Sequence, residues 1–117
     1  MTAPTKEDAR ALRDKLAPVQ EKKGYFFNPD QDMTLDLLEQ LLVTKARYGY
    51  MVCPCRLASG ARENDRDIMC PCEYREPDVA EYGVCFCGLY VDAAHRESGP
   101  SPEVVVPERR PPEKMFL

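Results

Sequence analysis

Three pairs of cysteines lie close together in the middle of this sequence, and they are the residues best suited to chemistry. Every cysteine of the chain belongs to a Cys-x-Cys pair. The pairs join Cys53 with Cys55, Cys70 with Cys72, and Cys85 with Cys87. A structural cysteine is usually an isolated, small buried residue. Six grouped thiols therefore indicate metal binding, redox chemistry or both.

The spacing within the pairs leaves three kinds of site open. Structural zinc sites usually separate paired cysteines by two to four residues, whereas a single residue separates each pair here. A [4Fe–4S] cluster takes four thiolates, and four from six leaves two cysteines for a redox pair. Cysteine counts do not determine which thiols pair. On spacing alone, a cluster, a zinc site and simple disulfides all remain open.

The composition excludes several classes of protein. The chain has 117 residues and a net charge of -4, which suits one acidic domain and argues against nucleic acid as a partner. No apolar run approaches the ~20 residues that cross a bilayer, and the N-terminus is polar. We therefore expect no membrane partner and a cytoplasmic location. In that reducing compartment, grouped cysteines more often bind metals or catalyse than form structural disulfides.

Two helices are predicted before the cysteines. The first spans about 5–23, and Pro18 is expected to kink or divide it because proline removes a backbone donor. The second spans about 33–48 with Asp32 as its N-cap, and leads the chain directly to Cys53. These two helices are the elements that must support the cysteine region.

Shorter elements are predicted around and after the cysteines. The aromatic run 25–27 is expected to fill the core between the helices. Segment 56–67 reads as a charged, solvated loop with room for one helical turn, in preference to a docking site. Residues 77–82 suit a short helix. The segments 89–91 and 104–106 look extended and are candidates for pairing with each other.

The cysteine pattern resembles that of a known family, the catalytic subunit of ferredoxin:thioredoxin reductase. The family signature runs Cys-Pro-Cys, Cys-Pro-Cys and Cys-His-Cys, and this chain has CPC, CPC and CFC in the same order. The likeness covers about residues 25–91. It implies that Cys55 and Cys87 form a redox-active disulfide, with Cys55 attacking the substrate and Cys87 on the cluster side. The implied ligands of a [4Fe–4S] cluster are Cys53, Cys70, Cys72 and Cys85.

The chain departs from the photosynthetic members of the family at two points. Its first gap between pairs is shorter than theirs and its second is longer, which changes loops and leaves the ligand assignment intact. More important, Phe86 stands where the family has a histidine that is thought to handle a proton. The single histidine of the chain, His95, is expected to be an ordinary surface residue. The proton step therefore does not transfer, and bulk water, a tyrosine (Tyr82 or Tyr74) and His95 are the candidate sources, in that order.

The resemblance implies a mainly α fold: a small, irregular single domain of short helices around an iron–sulfur cluster, with little extended structure. Residues 1–99 are expected to form the cluster-binding catalytic domain, and the proline-rich residues 100–117 an extended tail.

The implied function is a ferredoxin-dependent disulfide reductase. It would take electrons from ferredoxin and reduce thioredoxin or a similar protein in two one-electron steps, with or without a second subunit. The alternative is a zinc- or cluster-binding module that acts as a structural domain or a simple electron carrier.

Overall fold

Two long helices pack side by side in the computed structural model, which describes residues 3–115. Helix α1 spans Lys6–Lys22 and α2 spans Gln31–Tyr48. Thr5 and Asp8 form a capping box at the start of α1, in which each side chain accepts the other's backbone N–H. Helix α1 continues through Pro18, so of the two predicted effects of this proline, a kink or a division, the division does not occur.

Helix α2 begins earlier than predicted. Its N-cap is Asp30, whose Oδ1 accepts the backbone N–H of Met33 at 3.1 Å, and not Asp32. The reason lies in the preceding turn, where Asn28 Oδ1 accepts the backbone N–H of Asp30 at 3.0 Å and holds that residue extended. The helix ends as predicted at Gly49, whose φ of 85° few other residues adopt.

Three shorter α-helices follow α2 within residues 3–115. Helix α3 spans Arg62–Asp65 and continues into a 3-10 turn at Arg66–Ile68. Helix α4 spans Arg75–Tyr82, two residues longer at its start than predicted, and α5 spans Pro112–Met115. The mainly α character, the single small domain and the near absence of extended structure are confirmed.

A short sheet pairs the segment before α2 with the segment after the third cysteine pair. Strand β1, Phe26–Phe27, pairs antiparallel with β2, Tyr90–Val91. The rings of Phe27 and Tyr90 stack with their centroids 5.2 Å apart. The proposed pairing of 89–91 with 104–106 is wrong, because 104–106 is not a strand, and β2 pairs instead with β1 and, at Val91, with Val84.

The core lies between α1, α2, α4 and β2. Its buried members are Ala9, Leu35, Leu38, Leu41, Val79, Leu89 and Tyr90, with Cys85 among them. Tyr25 and Phe27 pack against this cluster, as expected for the aromatic run. Within residues 3–115, no helix is both long and apolar enough to cross a membrane. The cytoplasmic location stays a prediction.

The segment 56–67 differs from the predicted solvated loop at Arg56, which is buried, and at two aspartates. Asp65 is fully buried and accepts hydrogen bonds from the Tyr50 hydroxyl at 2.6 Å and from the Ser59 backbone at 3.0 Å. Asp67 is also buried, and the Tyr74 hydroxyl donates to it at 2.6 Å. These bonds fix the path of the chain between the first two cysteine pairs. Most other residues of the segment are exposed, as expected.

Candidate functional site

A short backbone bridge brings the first two cysteine pairs together. Val52 and Met69 form an isolated antiparallel bridge. Next to it, the Cys53 N–H donates to the Ile68 carbonyl and the Cys70 N–H donates to the Met51 carbonyl, each at 2.9 Å. The two Cys-Pro-Cys pairs therefore start side by side, although 14 residues separate them in sequence. The Cys70–Pro71 peptide bond is cis.

A tight turn carries the third pair. The Cys85 N–H donates to the Tyr90 carbonyl at 3.0 Å, and the Gly88 N–H donates to the Cys85 carbonyl at 2.9 Å. Gly88 has a φ of 85°, which allows the chain to reverse within these few residues. The Tyr90 N–H also donates to Cys85 Sγ at 3.3 Å. The turn thus presents Cys85 and Cys87 to the other two pairs.

Most of the cysteines surround one largely enclosed cavity. Cys55 is exposed and does not line it. Tyr90 and Phe86 supply apolar surface to the same cavity. The cysteines that line it are Cys53, Cys70, Cys72, Cys85 and Cys87. The structure therefore brings together all four residues that the resemblance assigns to a cluster, together with Cys87.

The thiols are not arranged around a single ion. Among residues 3–115, no three cysteine, histidine, aspartate or glutamate side chains converge as ligands of one metal ion would. A zinc site needs its four ligands within ~2.3 Å of one point, whereas a [4Fe–4S] cluster attaches each thiolate to a different iron atom. All six cysteines are free thiols. The Cys55–Cys87 disulfide therefore stays a prediction.

Cys87 lies at the centre of the thiol group. Its Sγ is 3.8 Å from Cys85 Sγ. Hydrogen bonds from Cys87 lower the pKa of Cys55 and that of Cys85, each to about 7, and lower the pKa of Cys53 as well. The same bonds raise the pKa of Cys87. These shifts favour a thiolate at Cys53, Cys55 or Cys85 over one at Cys87.

Burial dominates at the second pair. It raises the pKa of Cys70 well above its ordinary value and that of Cys72 to about 11, because a thiolate loses its hydration inside the protein.

Arg56 directly follows the first pair and was missed in the sequence. Its side chain is only 1% exposed. The guanidinium lies 4.4 Å from the ring centroid of Phe86 and 4.9 Å from that of Tyr74, and it pairs with the carboxylate of Glu108. A cation next to paired thiols is a common way to stabilise thiolates, so the sequence Cys-Pro-Cys-Arg did carry a usable signal.

Arg75 is a second buried arginine of this region, also missed in the sequence. It lines the cavity and stacks 3.8 Å from the ring centroid of Tyr25 and 4.8 Å from that of Tyr90. Its Nη1 donates to Gln20 Oε1 at 2.5 Å. Helix α1 therefore contributes to the support of the site through Gln20.

The candidate proton donors lie outside the cavity lining. His95 is half-buried, and its Nδ1 is 2.6 Å from Asp92 Oδ1. The Tyr74 hydroxyl is bound to Asp67, and burial followed by that hydrogen bond raises the pKa of Tyr74. Burial also raises the pKa of Tyr82. None of these three side chains lines the cavity that the cysteines share.

An open groove of about 430 Å³ runs along the outer side of the third pair. Phe86 and Cys87 border it, Met33 lies on one side, and Val104 and Val106 lie on the other. Phe86, Cys85 and Cys87 line both the groove and the inner cavity. The third cysteine pair therefore lies between the buried thiols and the groove.

Comparison with known proteins agrees with this arrangement. Residues 3–107 match the family model described as the ferredoxin thioredoxin reductase catalytic beta chain. The match covers most of the chain and includes all three cysteine pairs. A search of curated proteins found no significant match.

Proposed function

The chain belongs to the ferredoxin thioredoxin reductase catalytic beta chain family, and on that premise we propose that it reduces protein disulfides with electrons from ferredoxin. Members of the family are catalytic subunits of an oxidoreductase, so this chain is an enzyme of the disulfide reductase type. The observation that carries the proposal is the division of the thiols. Five line one enclosed cavity, while Cys55 lies outside it and is exposed.

A [4Fe–4S] cluster fits the donor set of this cavity. Four thiolates are the ligands that such a cluster requires, and the cavity offers five thiols together with the apolar rings of Phe86 and Tyr90. The residues that would hold the cluster are Cys53, Cys70, Cys72 and Cys85. When bound, it would accept single electrons from ferredoxin and pass them to the neighbouring disulfide. Cys87 is the fifth thiol and stays available for that disulfide.

The thiol chemistry then belongs to Cys55 and Cys87. Two electrons and two protons convert their disulfide into two thiols. The Cys55 thiolate attacks one sulfur of the substrate disulfide, which forms a mixed disulfide and releases the first substrate thiol. Cys87 next attacks the Cys55 sulfur. This step re-forms the Cys55–Cys87 disulfide and releases the second substrate thiol, so the electrons and protons balance.

The energetics allow this direction. A low-potential ferredoxin near about -400 mV and a thioredoxin near about -270 mV differ by ~130 mV, which is about 6 kcal/mol for two electrons. Thioredoxin or a similar protein is therefore a suitable acceptor. It must approach Cys55, and the next apolar residue along the chain, Leu57, is 90% exposed and free to contact it.

Metal and sulfide analysis of anaerobically purified protein tests the proposal first. We expect about four irons and four sulfides per chain. Zinc alone would support the structural alternative. A cluster without any disulfide reductase activity would support a simple electron carrier.

Substitution within the first cysteine pair tests the division of roles. Cys55→Ser should keep the iron and abolish disulfide reduction, because the attacking sulfur is lost while the ligands remain. Cys53→Ser, in the same Cys-Pro-Cys motif, is the matched control and should lose iron. Loss of iron in Cys55→Ser would move Cys55 into the ligand set and overturn the assignment.

A further inference from the structure

Arg56 carries two buried hydrogen-bond donors that no protein atom satisfies. Within residues 3–115, the buried side-chain nitrogen and oxygen atoms without a partner are Nε and Nη2 of Arg56 and Oδ2 of Asp78. The remaining guanidinium nitrogen of Arg56, Nη1, binds the carboxylate of Glu108. Leaving a buried donor unpaired is costly, and more so for a charged group. Two unpaired donors on one buried cation point to a missing acceptor.

The surroundings of Arg56 show on which side that acceptor lies. The Phe86 ring, on which the guanidinium stacks, lines the cysteine cavity. The backbone N–H of Arg56 donates to the Cys53 carbonyl at 3.1 Å, and Cys53 lines the same cavity. Arg56 therefore lies directly beside a cavity cysteine, and a guanidinium keeps its positive charge inside proteins.

We propose that Arg56 holds a fixed positive charge and hydrogen-bond donors against the sulfur atoms at the cavity, and thereby sets the reduction potential of the cluster. The inference rests on the proposed function, because it assumes that the cavity holds a [4Fe–4S] cluster. Arg56 is a positioning and tuning residue in this view. Net charge and hydrogen bonds to sulfur are two of the factors that set such potentials.

Phe86 makes this arrangement possible. The face of a phenyl ring attracts a guanidinium, and the ring holds Arg56 from one side while Tyr74 holds it from the other. A protonated histidine at position 86 would repel the same cation. Phe86 and Arg56 therefore form one unit, in which a permanent charge stands close to where the family has a titratable ring.

The sign of the effect follows from electrostatics. Reduction adds negative charge to the cluster, and a nearby cation stabilises the more negative state. Arg56 therefore raises the potential. Glu108 has the opposite effect, because its carboxylate offsets part of the charge on Arg56.

Potentiometric titration of the cluster, followed by its absorption spectrum, tests the inference in variants of known iron and sulfide content. Arg56→Gln removes the charge and should disfavour the reduced cluster at least about tenfold, a fall of ~59 mV for one electron. Arg56→Lys keeps a positive charge, so the reduction potential of its cluster should fall less than that of Arg56→Gln. Arg62→Gln removes an exposed arginine from the same segment, 5.7 Å from the Tyr50 ring centroid, and should leave the potential unchanged.

Glu108→Gln is the decisive second variant, because it leaves Arg56 in place and should raise the potential. If the substitutions merely loosened the site, both variants would shift the reduction potential in the same direction. If they act by removing opposite charges, Arg56→Gln lowers the potential and Glu108→Gln raises it. If Arg56→Gln fails to assemble a cluster, Glu108→Gln decides alone. A cluster of normal content whose potential is the same in wild type, Arg56→Gln and Glu108→Gln overturns the inference about Arg56. A wild-type protein without iron and sulfide overturns the proposed function itself.

Discussion

At the scale of single residues, the thiols of the site differ in exposure, and the residues that carry charge beside them are not the ones that could supply protons. Cys55 is exposed, whereas Cys53 and Cys85 are buried. Permanent charges beside them come from Arg56 and Arg75, and the ring at position 86 cannot donate or accept a proton. Protons for the released thiols must therefore come from water or from a side chain outside the cavity.

His95 provides the clearest test of the source of these protons. It lies outside the cavity lining, and Asp92 already binds its Nδ1 at 2.6 Å. We expect His95→Ala to change turnover less than about tenfold, which is below the usual effect of losing a general acid. Steady-state rates of disulfide reduction by the wild type and His95→Ala, compared at equal iron content, would measure this change in turnover. A hundredfold lower rate with an intact cluster would identify His95 as a replacement for the missing imidazole.

The grouping of the cysteines could be read from the sequence at this scale, and their individual roles stay predictions, whereas the contacts of Arg56 could not be read. Three Cys-x-Cys pairs in order are a specific pattern, and the family match agrees with it. Arg56 depends on Tyr74, Phe86 and Glu108, which lie far apart in sequence and meet only in the fold. Local patterns do not report such contacts.

At the scale of elements, α4 and the turn after it set the position of the third cysteine pair. Gly83 ends α4 with a φ of 77°, two residues before Cys85. A Cβ at this position would lie 2.6 Å from His95 Cε1. The end of α4 therefore lies close against the 3-10 turn Ala93–His95, and His95 leaves no room for a side chain at Gly83. Gly83 is therefore constrained both by its backbone and by its neighbour.

Gly83→Ala should destabilise the protein more than Gly49→Ala. Both glycines end helices with positive φ, so each alanine substitution should lower the free energy of unfolding by about 1 kcal/mol through backbone strain. A Cβ at Gly49 meets nothing within 4 Å, so Gly49→Ala isolates the strain. Urea unfolding measures both. In a His95→Ala background the additional cost at Gly83 should disappear. An equal loss for both glycines would show that His95 moves aside freely.

The helices were predictable because their signals are local, and the sheet was not. The capping box of Thr5 and Asp8 and the apolar stripe of leucines in α2 are patterns that span only one or two helical turns. Asp30 and Asp32 are both competent N-caps, and the choice between them depends on Asn28. Strands of two residues carry almost no periodic pattern. The pairing of Phe26–Phe27 with Tyr90–Val91 follows from packing alone.

At the scale of the whole molecule, a cluster of charges ties the C-terminal segment to the cysteine region. Arg110 is buried and binds Asp67 through Nε at 2.8 Å. Arg109 binds Asp78 at 2.8 Å and Glu81 at 2.6 Å. Together with the Glu108–Arg56 pair, three consecutive residues meet partners from three parts of the chain. These residues follow directly after the family match, which ends at residue 107.

The proposed division into residues 1–99 and 100–117 stays a prediction, and the first two and last two residues of the chain lie outside the described range. The ion pairs of 108–110 were not predictable, because long-range pairing of arginines and aspartates leaves no spacing pattern in the sequence. The same holds for the burial of Asp65 and Asp67.

A chain that ends at Pro107 should be less stable than one that ends at Pro111. The shorter chain loses Arg110 and leaves Asp67 buried without its cation, and breaking a buried pair in this way costs about 3–5 kcal/mol. The chain that ends at Pro111 keeps residues 108–110 and serves as the matched control. Urea unfolding of both chains at neutral pH, with equal iron content, measures the difference.

The difference between the two chains should also narrow in acid. Burial raises the pKa of Asp67, but hydrogen bonds from Tyr74 and Arg110 outweigh it and lower the pKa below its ordinary value of 3.8. A lowered pKa in the folded state means that the carboxylate stabilises the fold above pH 3.8 and that this contribution is lost as the pH falls through the lowered value. The longer chain therefore loses more stability in acid. A difference that stayed constant from neutral pH down to the acid transition would show that Asp67 and Arg110 do not stabilise the fold as an ion pair.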